Sequence, residues 1–239
     1  MQKIATFNLQ KNFMRKTGLI ITIYFFASIA GMAQSNNSHL LAVKDSTMRA
    51  KMHADSLKIE DQFAEKIRWQ SLENKEEFPV INAGKFSGVF PVTGITEVPD
   101  PKMQYKLLFE IKNKNPDSLL NEPDQSLVEV ARIINLHVAS GIPLKNISIV
   151  MVMHGYGLYS ICTNDSYQKR FKMNNPNLKL ISDLEKLGAR FIACGQAMNF
   201  LDIKNEELLP VVKVSFTAQT ALSGYQLKGY VLKTVEPDK

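Results

Sequence analysis

Hydrophobic and polar positions follow one rhythm early in the chain and another late. Over residues 40–72 the apolar side chains Met48, Met52, Ile59, Phe63 and Ile67 fall on one stripe, with Lys, Asp and Glu between them. That period predicts an amphipathic helix packing on the domain or on a neighbouring subunit. Its polar face mixes both charge signs, which argues against a helix lying on a membrane. Residues 75–102 carry Pro79, Gly84, Gly88, Pro91, Gly94, Pro99 and Pro101, punctuation that predicts extended linker or edge strand.

From Met103 onward strand and helix patterns alternate. Residues 105–111 form a β-like apolar run. Asp124 is placed to cap a helix with an inward stripe of Leu127, Val130, Ala131, Ile134 and Val138, stopped by Gly141. Residues 147–153 are a continuous apolar strand of the kind buried on both faces. Asn175-Pro176 reads as N-cap and first helical residue, Leu180, Ile181, Leu184 and Leu187 as the buried stripe, and Gly188 as the stop. Short strands follow at 190–194 and 211–216. A helix then turns Ala218, Ala221, Leu222 and Tyr225 inward, and residues 230–235 form a last strand. Alternating β and α elements with short loops predict an α/β domain, its mainly parallel sheet covered on both faces through right-handed crossovers.

The amino end has a different character. Arg15-Lys16 precede an apolar run over 19–30, and Gly31-Met32-Ala33 supplies small residues at a cleavage site. Residues 1–33 therefore read as a signal peptide cut near Ala33, and the protein as periplasmic or secreted. Met14 directly precedes the basic pair and is an alternative translation start. The apolar run is shorter than the ~20 residues a membrane span needs, so no stable insertion is expected after cleavage. No cysteine lies near the cut, which excludes lipid attachment there.

Composition narrows the function classes. The chain has 239 residues, 45% hydrophobic and 22% charged, a globular balance. The formal charge of +6 includes Lys3, Lys11, Arg15 and Lys16 of the leader. Without those four, 25 cationic and 23 anionic side chains remain, which gives no reason to expect nucleic acid as partner. Two cysteines, Cys162 and Cys194, exclude a disulfide-dense scaffold. No P-loop, GxGxxG, HExxH or GxSxG motif occurs, and no cofactor or metal is predicted.

In open α/β sheets ligands bind beyond the carboxyl ends of the strands. Those ends here are His154-Gly155, Cys194-Gly195-Gln196, and Ser215 with Thr217. Cys194 closes a strand and precedes a possible helix start, where unpaired N–H groups favour a thiolate, and Gly195 lets another molecule approach its sulfur. The competing reading is a buried cysteine closing the apolar run Phe191-Ile192-Ala193. His154 is either an acid/base or thiol partner or a half-buried histidine bonded to loop backbone. Cys162 is a bystander, a resolving thiol for Cys194 or a metal ligand, although its spacing to His154 and Cys194 matches no zinc pattern. The connection from His154 to Asn175 is long enough to hold a short helix capped by Asp165 or Ser166 and to fold over the crevice.

These pieces resemble the DsrE/DsrF-like family: His154-Gly155 after an apolar strand, Asn175-Pro176-Asn177-Leu178, Cys194-Gly195-Gln196, Leu208-Leu209-Pro210, and Leu222, Gln226, Gly229 and Tyr230. The resemblance spans residues 103–235, so the chain divides into a leader (1–33), a helix and linker (34–102) and the α/β domain (103–239). It implies a flavodoxin-like three-layer α/β/α fold and a trimeric or hexameric homo-oligomer. It also implies a cysteine at the position of Cys194 that carries persulfide sulfur between a donor and an acceptor protein. Sulfur or thiol handling is one expectation; a non-catalytic oligomeric binding protein of the cell envelope is the other.

Overall fold

The computed structural model describes residues 43–113 and 121–235; residues 1–33, expected to be a leader, lie outside these residues. By its contacts the chain divides after Trp69. Helix α1 spans 43–73, and its stripe of Met48, Met52, Ile59, Phe63 and Ile67 is solvent-exposed. No helix among the described residues is long and apolar enough to cross a membrane.

Residues 70–235 hold the sheet. Ahead of it the Pro/Gly-rich stretch is only partly a linker. Glu77 and Val89 form an antiparallel bridge, and Ile81 and Val89 are buried. The anchor is Asn135, fully buried in the next helix. Its Oδ1 accepts from the N–H groups of Val80 (3.0 Å) and Ile81 (3.2 Å). Its Nδ2 donates to the carbonyls of Ile81 and Ser87, both at 2.7 Å. A side-chain amide thus satisfies backbone groups for which this stretch has no ladder partner.

The order that follows is β1 (Tyr105–Asn113), α2 (Gln125–Ala139), β2 (Ile147–Gly155), α3 (Asn164–Phe171), α4 (Leu178–Lys186), β3 (Arg190–Cys194), α5 (Gly195–Phe200), β4 (Val212–Ser215), α6 (Ala218–Leu227) and β5 (Val231–Lys233). All strand pairs are parallel, in spatial order β4-β3-β2-β1-β5. From β1 to β4 each crossover steps the same way, so right-handed connections put α2, α4 and α5 on one face. The step from β4 to β5 passes back across the sheet and puts α6 on the other face.

Burial follows this division. Phe109, Ile111, Met151, Met153 and Phe191 pack with Leu127, Val130 and Ile134 of α2, Leu184 of α4 and Met198 of α5. Leu108, Val150, Val152, Ile192 and Cys194 pack with Ala218 and Leu222 of α6. Alternation of side chains along each strand supplies both layers, which is why the strands read as unbroken apolar runs.

The helix starts differ in detail from expectation. Regular α4 begins at Leu178, not Pro176, yet Asn175 still accepts from the N–H of Asn177 (2.9 Å) as a cap would. Thr163, rather than Asp165 or Ser166, caps α3 by accepting from the N–H of Ser166. The connection after β2 does not cover the crevice at Cys194. Its apolar residues Leu158, Ile161 and Cys162 are buried in the α2/α4 layer, which draws the segment to the opposite face.

Candidate functional site

A transverse row of side chains at the carboxyl ends of the strands forms the site. Register pairs Lys112 of β1 with His154 of β2, and Cys194 of β3 with Ser215 of β4. The β2–β3 ladder runs up to Met153 opposite Ala193, so His154 and Cys194 are the next residues along neighbouring strands. Adjacent strands lie ~4.8 Å apart. Counting by twos from Leu108, Val152 and Ile192 puts Lys112, His154 and Cys194 on the α6 face, and Ser215 joins them through its pairing. The outgoing helices of β3 and β4 lie on opposite faces, so the ends of these two strands flank the topological switch point, where α/β sheets bind ligands.

Each member has a definite environment. His154 Nε2 lies 2.8 Å from Glu110 Oε1, with side-chain exposures of 14% and 34%. Ser215 Oγ lies 3.2 Å from both the Ala193 and the Thr217 carbonyl oxygens, as acceptors for its one hydrogen. Thr217 caps α6 by accepting from the N–H of Gln219. Gln196 is exposed, and its backbone N–H donates to the Phe216 carbonyl (3.2 Å).

Both glycines are there for backbone reasons. Gly155 has φ 56° and ψ −147°, a region that is essentially glycine-only. At Gly195 a Cβ would meet the Ser215 carbonyl oxygen at 2.9 Å. Gly195 therefore lets α5 start flush against β4, and the space expected for an approaching ligand is taken by that strand.

Cys194 is a free thiol with 5% of its surface exposed. The expectation of a sulfur standing open at the mouth of the sheet is not met. Strand alternation turns its side chain under Ala218 and Leu222 of α6, while Gly195 and Gln196 take the outer positions. Cys162 is also a free thiol, but it belongs to the core on the other face, where its Sγ donates to the Leu158 carbonyl (3.4 Å). Burial pushes its pKa up to about 11, so little thiolate exists there near neutral pH. The sheet separates the two sulfurs, and the structure does not bring Cys162 to Cys194 as a resolving thiol. His137 Nδ1 lies 2.7 Å from the Ile133 carbonyl oxygen, within its own helix.

Two members of the site escaped the sequence reading. Glu110 and Lys112 sit in and after an apolar run and match no motif; only the register with β2 puts them beside His154. A second polar cluster occupies the opposite face. Asp124, 1% exposed, accepts from Asn113 Nδ2 (2.6 Å), Ser160 Oγ (2.7 Å) and the N–H of Ser126 (2.9 Å). Its own N–H donates to Asn177 Oδ1 (2.7 Å), and Asn175 Nδ2 donates to the carbonyls of Ser160 and Cys162. This network ties the end of β1 and the segment after β2 to the starts of α2 and α4.

None of the curated proteins matches the chain. One solved structure, a protein of unknown function from Methanobacterium thermoautotrophicum, is 18% identical with a TM-score of 0.41, covering 54% of this chain and 98% of its own. The family model described as DsrE/DsrF-like matches residues 129–234. That span takes in His154, Cys194 and Ser215 together with strands β2 to β5, and over it this chain is similar to the DsrE/DsrF-like family.

Proposed function

We propose that the protein handles sulfur at Cys194, as an exported homo-oligomer freed of residues 1–33. The observation that carries the reading is the row of Lys112, His154, Cys194 and Ser215 on one face at the switch point. In the proposed step the Cys194 sulfur attacks the outer sulfur of a donor persulfide. A new S–S bond forms at Cys194, the donor's S–S bond breaks, and the donor leaves as a thiolate that takes up the proton released by Cys194. No oxidant or reductant is consumed. His154 and Lys112 stabilise the sulfur anion. The test is incubation of the chain with glutathione persulfide, followed by intact and peptide mass measurement. A sulfur adduct on Cys194 that disappears in Cys194→Ser supports the reading; no adduct overturns it.

The burial of Cys194 favours a second reading, a non-catalytic oligomeric protein that binds a small ligand or partner. Exposed apolar side chains on and beside the edge strands, including Phe216, Leu227 and Val231, support the assembly common to both readings. If Cys194→Ser keeps the cellular phenotype of the wild type, the second reading stands. If the folded variant loses it, the second reading falls.

A further inference from the structure

Glu110 belongs to a buried-face strand and has no sequence motif to mark it, yet it makes the one side-chain hydrogen bond found for His154 among the described residues. It lies opposite Val152 in the β1–β2 ladder, two residues before the Lys112–His154 pair. Glu110, His154 and Cys194 therefore come from three successive strands and share the α6 face. A carboxylate only accepts, so the hydrogen of this 2.8 Å contact sits on His154 Nε2, and in the neutral ring Nδ1 is left as the acceptor. The low exposure of the imidazole means that this bond, together with packing, sets the ring orientation.

We infer that Glu110 is a positioning residue: it holds the His154 ring so that Nδ1 serves as the base for the thiol of Cys194 on the next strand. The arrangement is a nucleophile, a base and an orienting carboxylate supplied by adjacent strands, the logic by which a weak nucleophile is activated. The inference rests on Cys194 acting as a nucleophile. It adds a proton route to that step. The thiol proton moves to Nδ1 as the sulfur bond forms, and the departing donor thiolate takes it back. The other charged side chain in the row, Lys112, pairs with His154 in the β1–β2 register.

The test compares Glu110→Gln, which keeps an oxygen acceptor, with Glu110→Leu, which removes it. Two readouts are taken at one pH on the full chain: the solvent-protected His154 Nε2–H resonance in a histidine-labelled sample, and the rate of Cys194 alkylation by iodoacetamide, resolved by peptide mass. The resonance should persist in wild type and Glu110→Gln and vanish in Glu110→Leu. The alkylation rate should fall on the order of tenfold in Glu110→Leu and much less in Glu110→Gln. Should Glu110→Leu fail to fold, Glu110→Ala gives the same comparison. Equal rates in all variants, or equal loss in Gln and Leu with the resonance intact, overturn the inference. A Glu110-dependent alkylation rate without any sulfur adduct in wild type removes the sulfur reading and leaves the positioning role. An adduct that forms equally well in Glu110→Leu does the reverse.

Discussion

Removing the Asp124 carboxylate tests whether the polar network between the end of β1 and the start of α2 carries stability. The carboxylate is 1% exposed and accepts from three donors: Asn113 Nδ2, Ser160 Oγ and the N–H of Ser126. Asp124→Ala deletes the cap of α2, a loss of about 1 kcal/mol. It also strands buried donors at about 1–3 kcal/mol each. The Ser160 hydroxyl can turn to another acceptor, so the expected loss is about 3–5 kcal/mol. Urea unfolding followed by far-UV circular dichroism reads this as a midpoint lower by about 2 M. A loss below about 1 kcal/mol would refute the reasoning, because the donors would then be satisfied elsewhere.

The pH dependence of the same group has a definite sign. Burial dominates and raises the Asp124 pKa above its ordinary 3.8, although the hydrogen bonds from Ser160, Ser126 and Asn113 pull it down. The folded state therefore holds this proton more tightly than the unfolded chain. The stabilisation linked to it is fully present below pH 3.8 and is lost as pH rises through the folded value. Wild type should accordingly lose stability relative to Asp124→Asn as the pH is raised through that window. A constant difference would show that the carboxyl titrates alike in both states.

Two further changes test the joints around the site. Gly195→Ala puts a Cβ 2.9 Å from the Ser215 carbonyl oxygen and must push β4 away; a loss of about 1–3 kcal/mol is expected, with faster amide exchange at Gln196, and unchanged exchange there would contradict the close-approach argument. Asn135→Ala removes four hydrogen bonds to residues 80–87; it should cost about 3 kcal/mol and hasten limited proteolysis within 78–90, whereas an unchanged cleavage pattern would mean the segment is held by Ile81 and Val89 alone.

Local pattern carried most of the architecture. The α2 stripe, the strand at 147–153 and the cap signals at Asp124 and Asn175 each depend on residues within a turn or two of one another, where period and hydrogen-bonding chemistry are visible in the chain itself. The strand-end rule likewise pointed to His154, Cys194 and Ser215 as neighbours, because in an α/β sheet loop position follows from element order.

What the chain could not disclose was which way each side chain faces across strands. Parity within a strand is local, but parity between strands depends on register, and register is set by packing of the whole sheet. That decided the burial of Cys194 beneath α6, the separation of Cys162 by the thickness of the sheet, and the meeting of Glu110 with His154. It also decided that Asn135, an amide inside an apolar stripe, spends its hydrogen bonds on a segment 48 to 55 positions earlier. Contacts of that range are made by the tertiary fold and leave no period in the sequence.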